Sequence, residues 1–233
     1  MRAQNVREEL QSFADPKKAK IMKRFFKTGP GQYGEGDVFM GVVVPKSRQV
    51  AKKFGDLSYE EVEVLLDSSV HEERLVALLI LVQNYGRASG SEKESIVRFY
   101  LRNTDKINNW DLVDLSSPSI LGAHLMYGDR GLLFRLAKSD NVWERRMAIV
   151  ATLHFIRNDD FSDTLKLAKM LLQDRHDLIH KATGWMLREV GKRNLAVEEL
   201  FVSRYYMVMP RTMLRYAIER FPLRKKRRYM NTE

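Results

Sequence analysis

The sequence predicts an all-α fold, a curved solenoid in which helix pairs stack as repeats. Three observations support this prediction: helical periodicity runs through most of the chain, capping signals separate the helices, and similar helices recur at a regular interval. At 233 residues the chain is long enough to bury a sizeable core. We therefore expect a single domain over residues 1–233.

Apolar residues recur at three- and four-residue spacing in successive segments, of which YEEVEVLLDSS, EERLVALLILVQNY and VWERRMAIVATLHFIR are examples. Ser58 precedes the first of these as a candidate N-cap. Ser91, with Glu94 three residues later, predicts a capping box. No segment alternates over the length of a strand. The nearest is MGVVV at 40–44, which Pro45 ends.

Helices that open with a basic residue and continue with apolar ones recur regularly. RLVALLIL begins at Arg74, RMAIVATL at Arg146 and KATGWMLR at Lys181, at intervals of 72 and 35 residues. Half of the longer interval falls on Trp110, in INNWDLVDL. A period of about 36 residues in a helical chain predicts stacked helix pairs that bury their apolar faces against their neighbours. Because the period is short for HEAT or armadillo units, we expect degenerate HEAT-like repeats.

Composition excludes several classes of protein. Cysteine is absent, which rules out disulfides, thiolate nucleophiles and cysteine-ligated zinc. No apolar run approaches the ~20 residues that a membrane-spanning helix needs, and the N-terminus lacks the apolar core of a secretion signal. We expect a cytoplasmic protein that does not bind a membrane.

Positive charge is concentrated at the two ends of the chain. The net charge is +10; residues 203–233 carry nine Lys and Arg against two acids, and residues 1–60 carry twelve against seven. Basic ends around a balanced middle suggest a polyanion held from two sides. The alternative is that the charge serves solubility, but the clustered RKKRR in a basic tail at about 221–233 exceeds that need.

The segment at 28–48 interrupts the helical pattern. It contains G-x-G-x-x-G at Gly29, Gly31 and Gly34. A dinucleotide-binding fingerprint needs a strand before it and a helix after it, whereas here a helix precedes the motif and a loop follows. The segment therefore predicts a flexible Gly-rich loop at about 28–38 and no nucleotide site.

The histidines predict no metal site. His176 and His180 have the i, i+4 spacing of zinc ligands, but the sequence shows neither a third ligand nor the H-E-x-x-H pattern. HEERL at 71–75 begins like that pattern and lacks its second histidine. We interpret these as surface or capping histidines and expect no cofactor.

Two predicted helices carry a tryptophan beside charged residues. On one helix, a cationic face combines Lys181, Trp185, Arg188 and Lys192. Its separate apolar face consists of Ile179, Ala182, Met186 and Val190. A tryptophan at helical spacing fits a core position equally well, but one among cations suits contact with a sugar or base.

On another helix, Trp110 and Asp114 share a face at i, i+4, with Leu112 and Leu115 opposite. An aspartate in this place is ordinarily a solvated or capping residue. Next to DNA, an anion is useful when the reaction generates positive charge on a sugar.

Four segments carry a family resemblance, in order along the chain. They are FMGVVVPKSR (39–48), NNWDLVDLSSPSILG (108–122), SDNVWERRMAIV (139–150) and HKATGWMLREVGK (180–192). Together they resemble the AlkD-like DNA alkylation repair glycosylases, which are built of HEAT-like repeats.

The resemblance implies a monofunctional DNA glycosylase of base excision repair. Such an enzyme hydrolyses the glycosidic bond of cationic alkylated purines, such as 7-methylguanine and 3-methyladenine, in duplex DNA without flipping the base. Trp110 and Trp185 take the places of two tryptophans that pack against the lesion's deoxyribose. Asp114 takes the place of the catalytic carboxylate, and Arg146 that of an arginine facing the same site.

Further residues are expected to bind DNA, on the helix of Trp185, in the N-terminal region and in the basic tail. They are Phe25, Tyr33, Arg48, Arg145, Lys181, Arg188, Lys192, Arg224, Lys225, Lys226, Arg227 and Arg228. Phe25 stands where the family has a tyrosine that touches the backbone, and Tyr33 is a candidate substitute. Arg145 points about 100° away from Arg146, so both cannot enter one groove.

We expect a nucleoid-associated monomer whose concave face holds the DNA. Two alternatives remain from the sequence. One is a non-enzymatic repeat protein that binds damaged, bent or branched DNA by its shape. The other is a scaffold for protein interactions, a common use of helical solenoids.

Overall fold

A computed structural model describes residues 1–231. Thr232 and Glu233, the last two residues of the predicted basic tail, lie outside the described residues. Nearly all of the described chain is helical, and its one β pairing is an isolated parallel bridge between Val38 and Val70. The predicted all-α class is confirmed. Within residues 1–231, no helix has both the length and the apolarity to cross a bilayer.

The α-helices, in chain order, are α1 (Ala3–Ser12), α2 (Pro16–Phe25), α3 (Val44–Lys53), α4 (Tyr59–Leu66), α5 (His71–Arg87), α6 (Gly90–Arg102), α7 (Trp110–Ser117), α8 (Ala123–Leu125), α9 (Gly131–Leu136), α10 (Val142–Ala151), α11 (Leu153–Arg157), α12 (Ser162–Met170), α13 (Asp177–Arg193), α14 (Leu195–Tyr205), α15 (Arg211–Ala217) and α16 (Leu223–Met230). Short 3-10 helices span Thr104–Lys106, Leu171–Gln173 and Ile218–Arg220, and a π-helix spans Pro118–Gly122.

Two compact units divide the chain, Met1–Ile120 and Leu121–Glu233. In the first unit α5 is central, and α1, α3, α4, α6 and α7 pack against it. Its residues from Leu75 to Leu81 are all buried, so this helix forms the core. The single domain predicted for residues 1–233 remains a prediction.

The first turn of α5 also holds the chain segment that leads into α3. Glu72, which is almost fully buried, accepts hydrogen bonds from the backbone N–H groups of Met40, Gly41 and Val42 at 2.8–3.1 Å. A carboxylate that receives three N–H bonds is well satisfied in the interior, so a buried charge is tolerated here. The sequence MGVVV therefore forms an anchored loop, followed by a helix that begins at Val44 with Pro45 in its first turn.

In the second unit α13 is central, and α10, α12, α14 and α15 pack against it. The approach of α13 to α15 is close, because a Cβ added at Gly184 would lie 2.4 Å from the carbonyl oxygen of Met213. The helices α10 and α13 carry the segments that contain Arg146 and Lys181, which the sequence spaced at about 36 residues. In the first unit, α5 and α7 carry the segments that contain Arg74 and Trp110, which are also about 36 residues apart.

Local boundaries differ from prediction in two places. The capping box belongs to Ser89 and Glu92, two residues earlier than predicted, because the helix starts at Gly90 and leaves Ser91 inside its first turn. The segment at 142–157 is broken at Thr152, whose hydroxyl donates to the carbonyl of Ile149 at 2.6 Å. The predicted N-cap at Ser58 is confirmed as the residue before α4.

Candidate functional site

Trp110 is the first residue of α7, and Asp114 follows one turn later on the same helix. The helix begins here because the Oδ1 of the buried Asn109 accepts a hydrogen bond from the backbone N–H of Trp110 at 2.9 Å. Both Trp110 and Asp114 are half-buried, whereas Leu112 on the opposite side is fully buried. Leu115, which the spacing also places on the core side, is half-buried like Asp114, so the predicted core side of α7 is confirmed at Leu112 only.

One side of the Trp110 ring is covered by phenylalanines. The ring of Phe26 stacks on it at 5.1 Å between centroids with an interplanar angle of 10°, and Phe25 meets it edge-on at 5.7 Å. Phe26 is buried, while Phe25 is 63% exposed. Trp110 is thus part of an aromatic cluster that holds its plane in place. Phe25 is predicted from the sequence as a site residue and Phe26 is not, although Phe26 follows Phe25 directly and packs against it.

Asp114 lies close enough to the core of this unit to act on a buried tyrosine. Burial, mainly, raises the pKa of Tyr100, and the negative charge of Asp114 raises it further. The hydroxyl of Tyr100 is 2.8 Å from Oγ of Ser116, in the last turn of α7. The carboxylate of Asp114 therefore places a negative charge within electrostatic range of this buried hydroxyl.

Behind Trp110 lies a buried ionic cluster that the sequence did not predict. His71 is almost fully buried, with Nδ1 3.1 Å from Oδ2 of Asp37 and Nε2 2.8 Å from Oδ2 of Asp111. The interpretation of His71 as a surface or capping residue is wrong. Its partners are distant in sequence, so no local pattern could reveal them.

The pKa of His71 shows which member of this cluster carries the proton. Desolvation by itself lowers the pKa of His71, but the charge of Asp111 and the hydrogen bonds that the imidazole donates to both aspartates raise it, to about 9. Burial raises the pKa of Asp37, but its bond with His71 and the charge of Arg74 bring it below its ordinary value. At neutral pH the cluster therefore contains an imidazolium between carboxylates.

The Gly-rich loop ends at this cluster. Asp37 closes the loop, and a Cβ added at Gly34 would lie 2.4 Å from the carbonyl oxygen of Phe26, so only glycine fits there. Tyr33 is half-buried, with the ammonium of Lys27 6.0 Å from its ring centroid. The end of the loop is thus anchored at Asp37, which its composition did not indicate.

In the second unit, Trp185 lies on α13 as predicted from its spacing. The predicted apolar face is confirmed as core: Ile179, Ala182, Met186 and Val190 are fully buried. Trp185 is half-buried, and its indole N–H donates to Oε1 of Glu189 at 2.9 Å.

The cations on α13 are engaged by acids. Lys192 is 2.5 Å from Glu189, and Lys181 is 2.7 Å from Asp177. Arg188 pairs with Glu219. This face therefore carries less net positive charge than its lysines and arginine suggest.

Arg146 and Arg145 have different surroundings. Arg146 is buried, and its Nη1 donates to the carbonyl of Leu178 at 2.7 Å. The guanidinium of Arg145 is 2.6 Å from Asp174 and also donates to the carbonyls of residues 139 and 140 at 2.9 Å. Arg145 thus braces the loops before α10 and α13, and its contact with DNA stays a prediction.

His176 and His180 have structural partners. Nδ1 of His176 accepts from the backbone N–H of Leu178 at 3.2 Å and caps α13, and Nε2 of His180 lies 2.6 Å from the carbonyl oxygen of Asp174. Across residues 1–231, no three side chains of the metal-binding types come together as a site.

The basic tail folds into α16. Tyr229 is buried against Phe221 and Tyr206 and fixes this helix. Lys225 pairs with Glu199 at 2.5 Å, and the guanidinium of Arg228 lies 5.8 Å from the Tyr229 ring. Within the described chain, the cations of this helix without an ion pair are Arg224, Lys226, Arg227 and Arg228.

A further basic surface lies on α2, within the basic N-terminal region, although none of its cations was named individually as a site residue. Asp15 caps the helix by accepting from the backbone N–H groups of Lys17 and Lys18 at 3.0 and 3.1 Å. Its exposed cations are Lys17, Lys18, Lys20, Lys23 and Arg24, and within the described chain only Lys18 has an acidic partner. No residue of α2 is buried.

Arg48, on α3, is also exposed. Exposed cations next to aromatic rings suit a nucleic-acid backbone.

Comparisons with known proteins identify a family and a similar fold. A family model described as DNA alkylation repair enzyme matches residues 6–221. Among solved structures, the chain is similar to a predicted DNA alkylation repair enzyme from Enterococcus faecalis, with 21% identity and a TM-score of 0.71 over 90% of this chain and 97% of that one. This likeness shows the fold and confirms the predicted class of all-α helical repeats. No curated protein matches the chain.

Proposed function

The chain belongs to the DNA alkylation repair enzyme family, and on that premise we propose that it is a monofunctional DNA glycosylase. Family membership supports a role in the repair of alkylated DNA. We propose that its substrates are cationic alkylated purines such as 7-methylguanine and 3-methyladenine in duplex DNA, and that it acts as a monomer at the nucleoid without flipping the base.

The observation that carries the proposal is the placement of Asp114 one turn after Trp110. Both side chains are half-buried on the outer side of α7, and the indole is fixed by its stack on Phe26. A carboxylate is repelled by DNA phosphates, so it needs a compensating role. Stabilising a positive charge on the sugar is such a role.

The reaction needs no general acid, because an alkylated purine is already cationic. As the bond between C1′ and N9 breaks, its electron pair stays on N9 and neutralises the departing base. The deoxyribose becomes oxocarbenium-like, and the carboxylate of Asp114 stabilises that charge. Water then adds to C1′ and gives up a proton to Asp114 or to solvent, which leaves an abasic site.

The tryptophans help to stabilise the same positive charge. The face of an indole attracts a nearby cation by about 0.5–2 kcal/mol, so Trp110 favours the charged sugar. We assign Trp185 and Arg146 to contacts with the DNA in the same reaction. The exposed cations of α2 and α16 bind phosphates, which position the duplex without reading its sequence.

The test replaces Asp114 by Asn, which keeps the shape of the side chain and removes its charge. We expect Asp114→Asn to bind methylated duplex as wild type does and to release base about 10²–10³-fold more slowly. The measurement is single-turnover release of free bases from methylated DNA, identified by mass spectrometry.

Asp105→Asn is the matched control, because Asp105 is an exposed carboxylate in the same unit and lies outside α7. It should release base at the wild-type rate. Equal release by Asp114→Asn and wild type would exclude the catalytic role of Asp114. Binding of methylated DNA by wild type without release of any base would favour a non-enzymatic DNA-binding protein.

A further inference from the structure

The buried ionic cluster behind Trp110 has no part in the reaction as described above. It joins three separate elements: Asp37 ends the Gly-rich loop, His71 begins α5 and Asp111 is the second residue of α7. Each of the three side chains is less than a tenth exposed. Burying this many ionisable groups costs several kcal/mol per ion before pairing, roughly. A core of apolar residues would reach the same stability without this desolvation cost.

The cluster is balanced in charge and its geometry is specific. Asp37 receives a hydrogen bond from Arg74 at 2.6 Å on Oδ1 and one from Asn109 at 3.1 Å on Oδ2, which also faces His71. Two carboxylates thus face an imidazolium and a guanidinium. Because Asn109 also caps α7, the same cluster holds the residue that starts this helix.

Two routes connect His71 to Trp110. One is ionic, because Nε2 of His71 contacts the carboxylate of Asp111, the residue next to Trp110. The other is aromatic, because the His71 ring packs on Phe26 at 4.9 Å and Phe26 stacks on Trp110 at 5.1 Å. A displacement of His71 therefore acts on both the backbone and the ring at the start of α7.

We propose that His71 is a positioning residue, which fixes the first turn of α7 and with it the directions of the Trp110 indole and the Asp114 carboxylate. The inference rests on the proposed function, since the directions matter only if these groups meet a substrate. Buried ionic groups give directional contacts that apolar packing lacks, so they suit this task.

The expected effect is catalytic as well as structural. A group misplaced by about 1 Å in an active site costs up to about a hundredfold in rate. A purely structural role for His71 predicts something else: a lower midpoint of thermal unfolding, with an unchanged rate for the molecules that remain folded. The two readings are separable by measuring rate, binding and ring environment on the folded protein.

The principal variant is His71→Phe, which keeps a ring between Phe26 and Phe39 and removes both ring N–H groups. We expect its single-turnover base release to fall by about ten- to a hundredfold, with its Kd for methylated duplex within about threefold of wild type. The indole ¹H–¹⁵N resonance of Trp110 should shift. The chain has three tryptophans, so the Trp110→Phe spectrum assigns this signal by its absence.

The matched control is Glu73→Gln. Glu73 is buried in the same turn of α5 and pairs with Arg7 of α1 at 2.9 Å, away from α7. Glu73→Gln should lower stability without moving the Trp110 resonance or the release rate. If His71→Phe does not fold, Asp111→Asn carries the test, because it keeps the hydrogen bond from His71 and removes one charge. Asp111→Asn should also slow base release and shift the Trp110 resonance, by smaller amounts than His71→Phe.

A pH titration supplies an independent readout. Asp37, Asp111 and Arg74 are the charged groups facing His71, and the imidazolium loses its proton as pH rises through about 9. The Trp110 resonance should follow this titration in wild type and not in His71→Phe. A signal that is independent of both pH and the substitution overturns the proposal.

The outcomes separate this proposal from the proposed function. If wild type releases no base, the glycosylase function fails, and the Trp110 resonance still reports whether His71 orients α7. If wild type releases base and folded His71→Phe or Asp111→Asn does so at the same rate, the function stands and the positioning role of His71 is overturned.

Discussion

The surroundings of Trp110 and of Trp185 use charge in opposite ways. Around Trp110, ionisable groups are buried and paired in a cluster, while the neighbouring α2 exposes four cations that have no acidic partner within the described chain. Around Trp185, the cations of α13 are paired with acids. The nearby Glu198 is buried, and its Oε1 lacks a hydrogen-bond partner among the described residues.

This difference teaches that counts of Lys and Arg do not locate a polyanion-binding surface. A cation already paired with a carboxylate must give up that partner to bind a phosphate, whereas an unpaired one releases only counterions. By this reasoning we expect α2 to bind DNA more strongly per cation than α13, although, of these two helices, only α13 carries cations that are predicted from the sequence as site residues. A buried acid without a partner, such as Glu198, instead makes stability depend on pH.

The largest expected effect concerns Glu198. Burial raises its pKa to about 8 from an ordinary value of 4.5, against the opposing charge of Arg188. A raised folded-state pKa means that its full contribution to stability is present below pH 4.5 and is lost as pH rises toward 8. Glu198→Gln should therefore unfold with a free energy higher by about 2 kcal/mol or more at pH 8 and equal to wild type at pH 4.5.

Urea denaturation at pH 4.5, 6 and 8 measures this effect. Glu199→Gln is the control, since Glu199 is adjacent, half-buried and paired with Lys225. It should shift stability by less than about 1 kcal/mol. Most of the pH dependence should remain, because burial is the main cause of the raised pKa of Glu198 and the charge of Glu199 is the smallest. Parallel pH curves for Glu198→Gln and wild type would show that the carboxyl is not held neutral.

The next effect tests α2 against α13 directly. Neutralising Lys20 and Arg24 together to Gln should weaken DNA binding by about tenfold per cation at 0.1 M salt and reduce the salt slope by about 0.9 for each. Lys181→Gln with Lys192→Gln should cost clearly less, because Asp177 and Glu189 already hold those lysines. Fluorescence anisotropy on one duplex across a salt series measures both, and equal losses would contradict the comparison.

A smaller effect is expected when an acid is removed from α13. Glu189→Gln leaves Lys192 without its partner and neutralises a charge beside Trp185, so affinity for DNA should rise by a few-fold. Glu94→Gln, in an exposed pair with Arg98 on α6, is the matched control and should bind like wild type. An affinity that falls in Glu189→Gln would mean that the hydrogen bond to Trp185 outweighs the charge.

The parts of the fold that were predicted from the sequence depend on local patterns. Apolar spacing located the main helices and the buried face around Met186. This is possible because the apolar stripe of a helix is already visible in two or three turns of sequence. The repeat interval followed from the same signal. The outer placement of Trp110 and Asp114 followed from their offset from Leu112.

The parts that escaped prediction depend on partners far apart in the chain. His71 meets Asp37 and Asp111, which are 34 and 40 residues away, and Arg145 meets Asp174 at a separation of 29. Nothing in the composition of a Gly-rich loop indicates that its last aspartate is buried in an ion cluster. Charge pairing is a tertiary property, so a pattern of cations cannot show which of them are occupied.

Consecutive residues of α5 hold the end of the Gly-rich loop and the segment that follows it: His71 binds Asp37, and Glu72 binds the amides of Met40 to Val42. The loop and the first turn of the helix must consequently open as one cooperative step, because neither can lose its partners alone. Amides in an irregular segment thereby acquire the exchange protection of a helix.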